Sequence, residues 1–189
     1  ASVEPVNPTY SPKIPERAIK SGAISIAQLE AVVYAGQAHN ELLPDGSRRG
    51  FFIRDGTGVG KGREIASILW DNWNHGRKKH VWLSQNTPLL KDAERDVKGV
   101  GWDKGVLFDF GKIPLDAAVK QKEGIAFVGY GTLRSKRVKE GRQLSRLNQL
   151  VSWLGEDFDG VIVFDEAHNM GNALSVKTNR GKTKASETA

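Results

Sequence analysis

The residues best equipped for chemistry lie in Phe51-Phe52-Ile53-Arg54-Asp55-Gly56-Thr57-Gly58-Val59-Gly60-Lys61-Gly62-Arg63, where three glycines fall within five positions ahead of a lysine. Gly56, Gly58 and Gly60 let successive backbone N–H groups turn inward on an anion. A helix starting near Lys61 points the positive end of its dipole at the same place. Lys61 would then reach the β- and γ-phosphates of a nucleotide, and the apolar run 51–53 predicts a short strand feeding the loop. The usual form of such a loop is G-x-x-x-x-G-K-[ST]. This chain departs from it twice, with Asp55 at the first glycine and Gly62 at the hydroxyl position. The second departure matters more. That hydroxyl normally ligates Mg²⁺, so the metal must lean here on water, another group or a carboxylate further along. A dinucleotide-binding G-x-G-x-x-G fails, because its third glycine would fall on Lys61 or on Arg63.

A second stretch, Gly160-Val161-Ile162-Val163-Phe164-Asp165-Glu166-Ala167-His168, is a continuous apolar run ending in two carboxylates. The run predicts a strand buried on both faces. Asp165 at its C-terminal end would hold Mg²⁺ directly or through water, and Glu166 would orient and deprotonate the water that attacks a γ-phosphate. An apolar strand followed by Asp-Glu is common; placed about a hundred residues after a glycine loop with a lysine, it becomes a specific signal.

These residues need a frame. With 189 residues the chain can bury one core, and the absence of cysteine excludes disulfides and thiolate metal sites. The net charge of +6 favours a polyanionic partner. No signal peptide or apolar run of membrane-spanning length is present, so the expectation is an intracellular, soluble protein without a membrane partner. Pro5, Pro8, Pro12 and Pro15 make 1–15 an extended, proline-rich linker. Ser25 caps a helix reaching about His39, with Ile26, Leu29, Val32, Val33 and Ala35 at helical spacing. Gln28 in its first turns could read adenine through its amide, or be a solvated surface residue. A helix over 63–74 follows the loop, with Ile65, Ile68, Leu69 and Trp73 on one face and Gly76 ending it. Next come a strand over 81–84 and a helix from Thr87-Pro88 whose N-terminus is a ready anion site. Strands over 106–108 and 125–128 flank a connection that could hold a helical turn at 115–122. An amphipathic helix then carries Leu144, Leu147, Leu150, Val151 and Leu154, with Arg142 and Arg146 on its outer side. Arg134, Lys136, Arg137, Lys139, Arg142 and Arg146 form either a solvated face or a nucleic-acid contact. Strands alternating with helices predict an α/β fold with a parallel sheet and a ligand at the C-terminal strand ends.

The chain resembles the first motor lobe of superfamily 2 helicases, and within them the strawberry-notch group of P-loop NTPases. The match rests on Ile26-Ala27-Gln28-Leu29-Glu30-Ala31-Val32, Arg54 to Arg63, Asp92-Ala93-Glu94-Arg95-Asp96 and Val163-Phe164-Asp165-Glu166-Ala167-His168. Gly62 is a feature this group shares. The resemblance implies a RecA-like P-loop NTPase lobe, a mostly parallel sheet flanked by helices, over 16–170. It also implies ATP and Mg²⁺ as cofactors, with Gln28, Asp55, Gly56, Thr57, Gly58, Val59, Gly60, Lys61, Gly62 and Arg63 binding the nucleotide. Lys61 and Glu166 would be catalytic and Asp165 the metal residue. Segments 84–88 and 129–132 would touch a nucleic-acid backbone, through Thr87, Gly129, Thr132 and the adjacent Arg134, and His168 would couple nucleotide state to a second RecA-like lobe.

A helicase further needs a Ser/Thr-Ala-Thr-like strand after Asp-Glu-Ala-His, and a second lobe with its arginine fingers. The expectation is therefore an incomplete lobe, with 171–189 a mobile tail truncated before the rest of the motor, and with little turnover on its own. Bacterial and phage relatives of the group accompany DNA modification or restriction, and animal relatives act in transcriptional control. The compartment would be cytoplasmic in the first case and nuclear in the second. Two functions remain open at this point: an ATP-dependent DNA helicase or translocase, and a non-catalytic nucleotide-dependent scaffold or coregulator.

Overall fold

Packed helices build the first of two units into which the chain divides, Ala1–Arg77 with Asp92–Lys104; the second comprises Lys78–Lys91 with Gly105–Ala189. The computed structural model describes residues 7–54, 60–102, 104–167, 177–178 and 181–182. In the first unit a short helix α1 (Glu16–Lys20) precedes α2 (Ile26–Asn40) and α3 (Lys61–Asn74), and most of α4 (Leu90–Gly99) belongs here too. Helix α2 starts on a capping box: the Ser25 hydroxyl accepts from the Gln28 N–H at 3.2 Å, and the Gln28 Oε1 accepts from the Ser25 N–H at 3.0 Å. Helix α3 buries Ile65, Ile68, Leu69 and Trp73, as their spacing requires, and stops where Gly76 takes a φ of 94°. On α2 the buried face is Gln28, Val32, Ala35, Gly36 and Ala38. Ile26, assigned to that face by spacing, lies exposed at the first helical position. Trp102 stacks on Trp70 with ring centroids 6.0 Å apart and meets Trp73 edge-on at 5.4 Å, which pins the end of α4 to α3.

Residues 7–15 have no regular secondary structure, in keeping with Pro8, Pro12 and Pro15, yet they are docked rather than loose. Tyr10 Oη donates to Asp71 Oδ2 at 2.6 Å, the Lys13 N–H donates to Asp71 Oδ1 at 2.6 Å, and Ile14 is buried. The Tyr10 ring fills the space that a side chain on Gly36 would need. Asp71 is 1 % exposed, so removing it leaves two ordered donors without their acceptor. Asp71→Ala should cost about 2 kcal/mol in denaturant unfolding and expose 7–15 to limited proteolysis; unchanged stability would show that the segment is held by its apolar contacts alone.

The strand expected at 51–53 is absent. Residues 51–54 pair with no strand, and Phe51 and Phe52 are 37 % and 72 % exposed. An apolar run becomes a strand only where a neighbour takes its N–H and C=O groups, and no described strand does so here.

The second unit holds a four-stranded sheet of order β2-β3-β1-β6, parallel throughout: β1 (Lys79–Ser84), β2 (Leu107–Asp109), β3 (Gly124–Gly129) and β6 (Ile162–Phe164). The register sets Ser84 beside Gly129 and Leu83 beside Phe164, so the C-terminal ends of β1, β3 and β6 finish together. β1 and β3 are buried almost throughout, with Val81, Leu83, Ala126 and Val128 in one cluster with Phe110, Leu150 and Trp153. β6 corrects the expectation of a strand buried on both faces. Among the described strands it pairs only with β1, and Ile162 and Phe164 are 42 % and 46 % exposed, as suits an edge position there. His80, fully buried, accepts the Val161 N–H on Nδ1 at 3.0 Å and so fixes where β6 begins.

Two further readings change. The helical turn expected at 115–122 does not form; a 3₁₀ turn at Phe110–Lys112 is followed by irregular chain. The Pro114 carbonyl accepts the Ala117 N–H at 3.0 Å in a single turn, and side chains of α6 take up further carbonyls: Gln149 Nε2 donates to Pro114 and Ala117, and Trp153 Nε1 donates to Gln121 at 2.6 Å. The amphipathic helix is α6 (Arg146–Leu154), preceded by a hairpin of β4 (Lys136–Lys139) and β5 (Arg142–Ser145) that turns through Glu140 and Gly141 at φ 51° and 75°. Arg146 is not on its outer side. It is 7 % exposed, and its guanidinium donates to the Ile113 carbonyl at 2.7 Å and to Gln149 Oε1 at 2.6 Å. Leu147 and Val151 are exposed instead. A four-residue helix α5 (Tyr130–Leu133) follows β3 directly. In the C-terminal segment, β7 (Lys177–Thr178) and β8 (Gly181–Lys182) pair antiparallel, and the rest of 171–189 lies outside the described residues. Among the described residues no helix is long and apolar enough to cross a membrane.

Candidate nucleotide-binding site

The candidate residues fall into two groups, one in each unit. In the first unit Gly60 has φ 91°, the left-handed region that glycine tolerates, and hands the chain directly into Lys61, the first residue of α3. The Gly60 carbonyl accepts the Arg63 and Glu64 N–H groups at 2.9 and 3.2 Å, which closes the first turn of α3 directly behind Lys61. Asp55, Gly56, Thr57, Gly58 and Val59 lie outside the described residues. Gln28 is buried, not a solvated helix-surface residue: it is 7 % exposed, and its Nε2 stands 2.7 Å from the point a Cβ on Gly60 would occupy. The amide is thereby brought against the loop. Its oxygen serves the Ser25 cap and its nitrogen faces Gly60. Arg63 lies across α4, its Nε 3.1 Å from where a Cβ on Gly99 would stand.

Gly62 is half-buried, and the carboxylate of Asp96 on α4 is packed against it. Burial pushes the Asp96 carboxyl up, against the opposing pull of Arg95 and Arg63. Sequence reasoning marked Asp96 as part of a family motif but gave it no role. Only the α3–α4 packing brings it to the loop.

In the second unit Asp165 and Glu166 follow β6 at the C-terminal end of the sheet. Burial first, and then the charge of Glu166, push the Asp165 carboxyl above its usual range, while the Ser84 hydroxyl, donating to Asp165 Oδ2 at 3.3 Å, pulls it back. Ser84 sits at the end of β1, so the strand pairing itself delivers this donor. Tyr130 Oη donates to the Asp165 carbonyl at 2.9 Å, and burial with the two nearby carboxylates pushes its own hydroxyl up to about 12. Glu166 has φ 54°, a left-handed conformation that costs a non-glycine residue about 1–2 kcal/mol. Strain of this kind gathers at functional positions. His168 lies outside the described residues.

This donor set suits Mg²⁺. Asp165 and Glu166 offer hard oxygen atoms, and no group of three or more His, Cys, Asp or Glu able to cage a metal occurs among the described residues. Mg²⁺ is held by one or two carboxylates together with phosphate oxygens, so a caged site is not needed.

Of the four residues expected to touch nucleic acid, the structure brings Thr87 and Gly129 together. A Cβ on Gly129 would stand 3.3 Å from the Asn86 Cα and 3.5 Å from the Thr87 N, so the exits of β3 and β1 touch. Thr132 is on α5, directly after β3, and Arg134 is the exposed residue that ends α5. Thr87 opens a 3₁₀ turn (Thr87–Leu89) whose cap position is Asn86.

A family model described as P-loop containing NTP hydrolase pore-1 matches residues 1–189. The chain is 43% identical over 194 residues to the strawberry notch protein of Drosophila melanogaster, covering 100% of this chain and 12% of that protein. It is 46% identical over 178 residues to FORGETTER 1 of Arabidopsis thaliana, covering 92% of this chain and 14% of the relative. Strawberry notch homolog 1 of Homo sapiens is 42% identical over 186 residues, covering 95% and 13%. The chain therefore spans only 12–14% of the length of these relatives. No solved structure matches it. The family match over the whole chain agrees with the Gly60–Lys61 turn and the Asp165–Glu166 pair, and this chain belongs to the P-loop NTP hydrolases, in their strawberry-notch group.

Proposed function

We propose that this chain is the ATP-binding lobe of an ATP-dependent helicase or translocase acting on DNA. The observation that carries the proposal is the pair at the end of β6, Asp165 with its raised carboxyl and Glu166 held at φ 54°. In this reading Lys61 and the N-terminal turn of α3 bind the phosphates, and Gln28 faces the base. Asp165 holds Mg²⁺ and is itself positioned by Ser84 and Tyr130. Glu166 orients a water molecule and accepts its proton. Mg²⁺, when bound, neutralises charge on the phosphate oxygens. Thr87, Gly129, Thr132 and Arg134 meet the nucleic-acid backbone, and a second RecA-like lobe completes the motor.

The test is the ATPase rate of the full-length protein with and without duplex or single-stranded DNA. DNA should raise turnover at least tenfold, and ATP should be preferred over GTP because the Gln28 amide reads the base. Nucleotide binding with no turnover under either condition would favour a nucleotide-dependent scaffold or coregulator. Equal affinity for ATP and GTP would return Gln28 to its capping role alone.

A further inference from the structure

The usual phosphate loop carries a hydroxyl one residue after its lysine, and this chain has Gly62 there. The space is filled from another helix. Asp96 on α4 brings its carboxylate against the Gly62 Cα: Oδ2 lies inside the volume that a Cβ on Gly62 would take, and Cγ is 2.8 Å from that point. A serine or threonine hydroxyl would project one bond from the same point. An oxygen of Asp96 therefore stands close to where the loop hydroxyl of other members of this fold would stand. The other oxygen, Oδ1, is 3.8 Å from Nε of Arg95, whose side chain is 70% exposed, so Oδ2 is the atom turned to the loop.

We propose that Asp96 supplies, from α4, the metal-directed oxygen that the usual loop takes from the residue at position 62. The proposal rests on reading the loop as a nucleotide site. A carboxylate is a hard oxygen donor suited to Mg²⁺, and it differs from a hydroxyl in carrying a full charge. That charge repels the phosphates of metal-free ATP and attracts the metal of Mg-ATP. Nucleotide binding should thus depend on metal more steeply than a neutral hydroxyl would make it. A carboxylate that only complemented the α3 dipole would act on both forms of ATP alike, which separates the two roles.

The experiment titrates the full-length protein with a fluorescent ATP analogue in Mg²⁺ and again in EDTA, alongside D96N and the swap G62S/D96A, with a thermal melt of each. In the unsubstituted chain Mg²⁺ should tighten binding at least tenfold. D96N should cut that ratio by about tenfold, by weakening binding in Mg²⁺ while leaving it unchanged or tighter in EDTA. G62S/D96A restores an oxygen at position 62 and should bring the ratio back to within about threefold of the parent. Should D96N melt early, the swap remains an independent arm. A D96N ratio equal to that of the parent, an equal loss in Mg²⁺ and EDTA, or a swap that restores nothing would overturn the role of Asp96 while leaving the loop as a nucleotide site. No nucleotide binding by the parent in either condition would overturn both.

Discussion

Lys61→Ala is expected to abolish nucleotide binding, whereas Glu166→Gln is expected to leave binding intact and remove turnover. Lys61 opens α3 immediately after the left-handed Gly60, so in the proposed reading its charge and the helix dipole would act on the same phosphates. Losing a charge-assisted contact of this kind costs about 2–4 kcal/mol, or roughly 30- to 1000-fold in affinity. Glu166 belongs to a different step. A positioned general base contributes about 10²–10⁴-fold to rate, and glutamine keeps the shape and the hydrogen-bonding reach while losing the ability to accept the proton. Titration with a fluorescent ATP analogue reads the first substitution, and phosphate release by the full-length protein with DNA reads the second. Hydrolysis at the parental rate by Glu166→Gln would remove it from the attacking-water role.

Trp102→Ala should be the most destabilising single change in the first unit, at about 3–5 kcal/mol. The ring is 2 % exposed, stacks on Trp70 and meets Trp73 edge-on. Against a total stability of about 5–15 kcal/mol, such a loss is a large share. The effect reaches beyond stability, because the same ring holds the end of α4 against α3 and thereby keeps Asp96 against Gly62. Denaturant unfolding should show the loss, with Trp102→Phe recovering most of it. A change under 1 kcal/mol would mean that the pocket collapses around Trp70 and Trp73.

The helices α2 and α3 and the strands β1 and β3 were legible because their apolar spacing, Ser25 cap and Gly76 stop are local signals. Phe51 to Ile53 had the composition of a strand, but strandhood depends on a neighbour. Ile162 and Phe164 read as fully buried for the same reason, since an edge position is not written into the strand itself. Arg146 was misplaced because a charged side chain is ordinarily a solvent marker, and here a ring of backbone carbonyls replaces water around its guanidinium. The β4–β5 hairpin was hidden by its polar strands, although Glu140-Gly141 carries a turn signal. At the candidate site, residue types and spacing pointed to Lys61, Asp165 and Glu166. The contacts of Asp96 with Gly62, and of Ser84 and Tyr130 with Asp165, required packing across long stretches of chain.

The grip of Asp71 on Tyr10 and Lys13 has a mechanical side. Asp71 and Lys61 are on one uninterrupted helix, ten residues apart and therefore about 15 Å apart along its axis. An α-helix transmits axial load with little compliance, and the two 2.6 Å bonds to Asp71 clamp the proline-rich strap near the far end of that rod. Tension applied to the strap would thus be delivered to the helix that opens with Lys61, and, if Lys61 holds a phosphate as proposed, a hold on the nucleotide would be felt in turn at the strap.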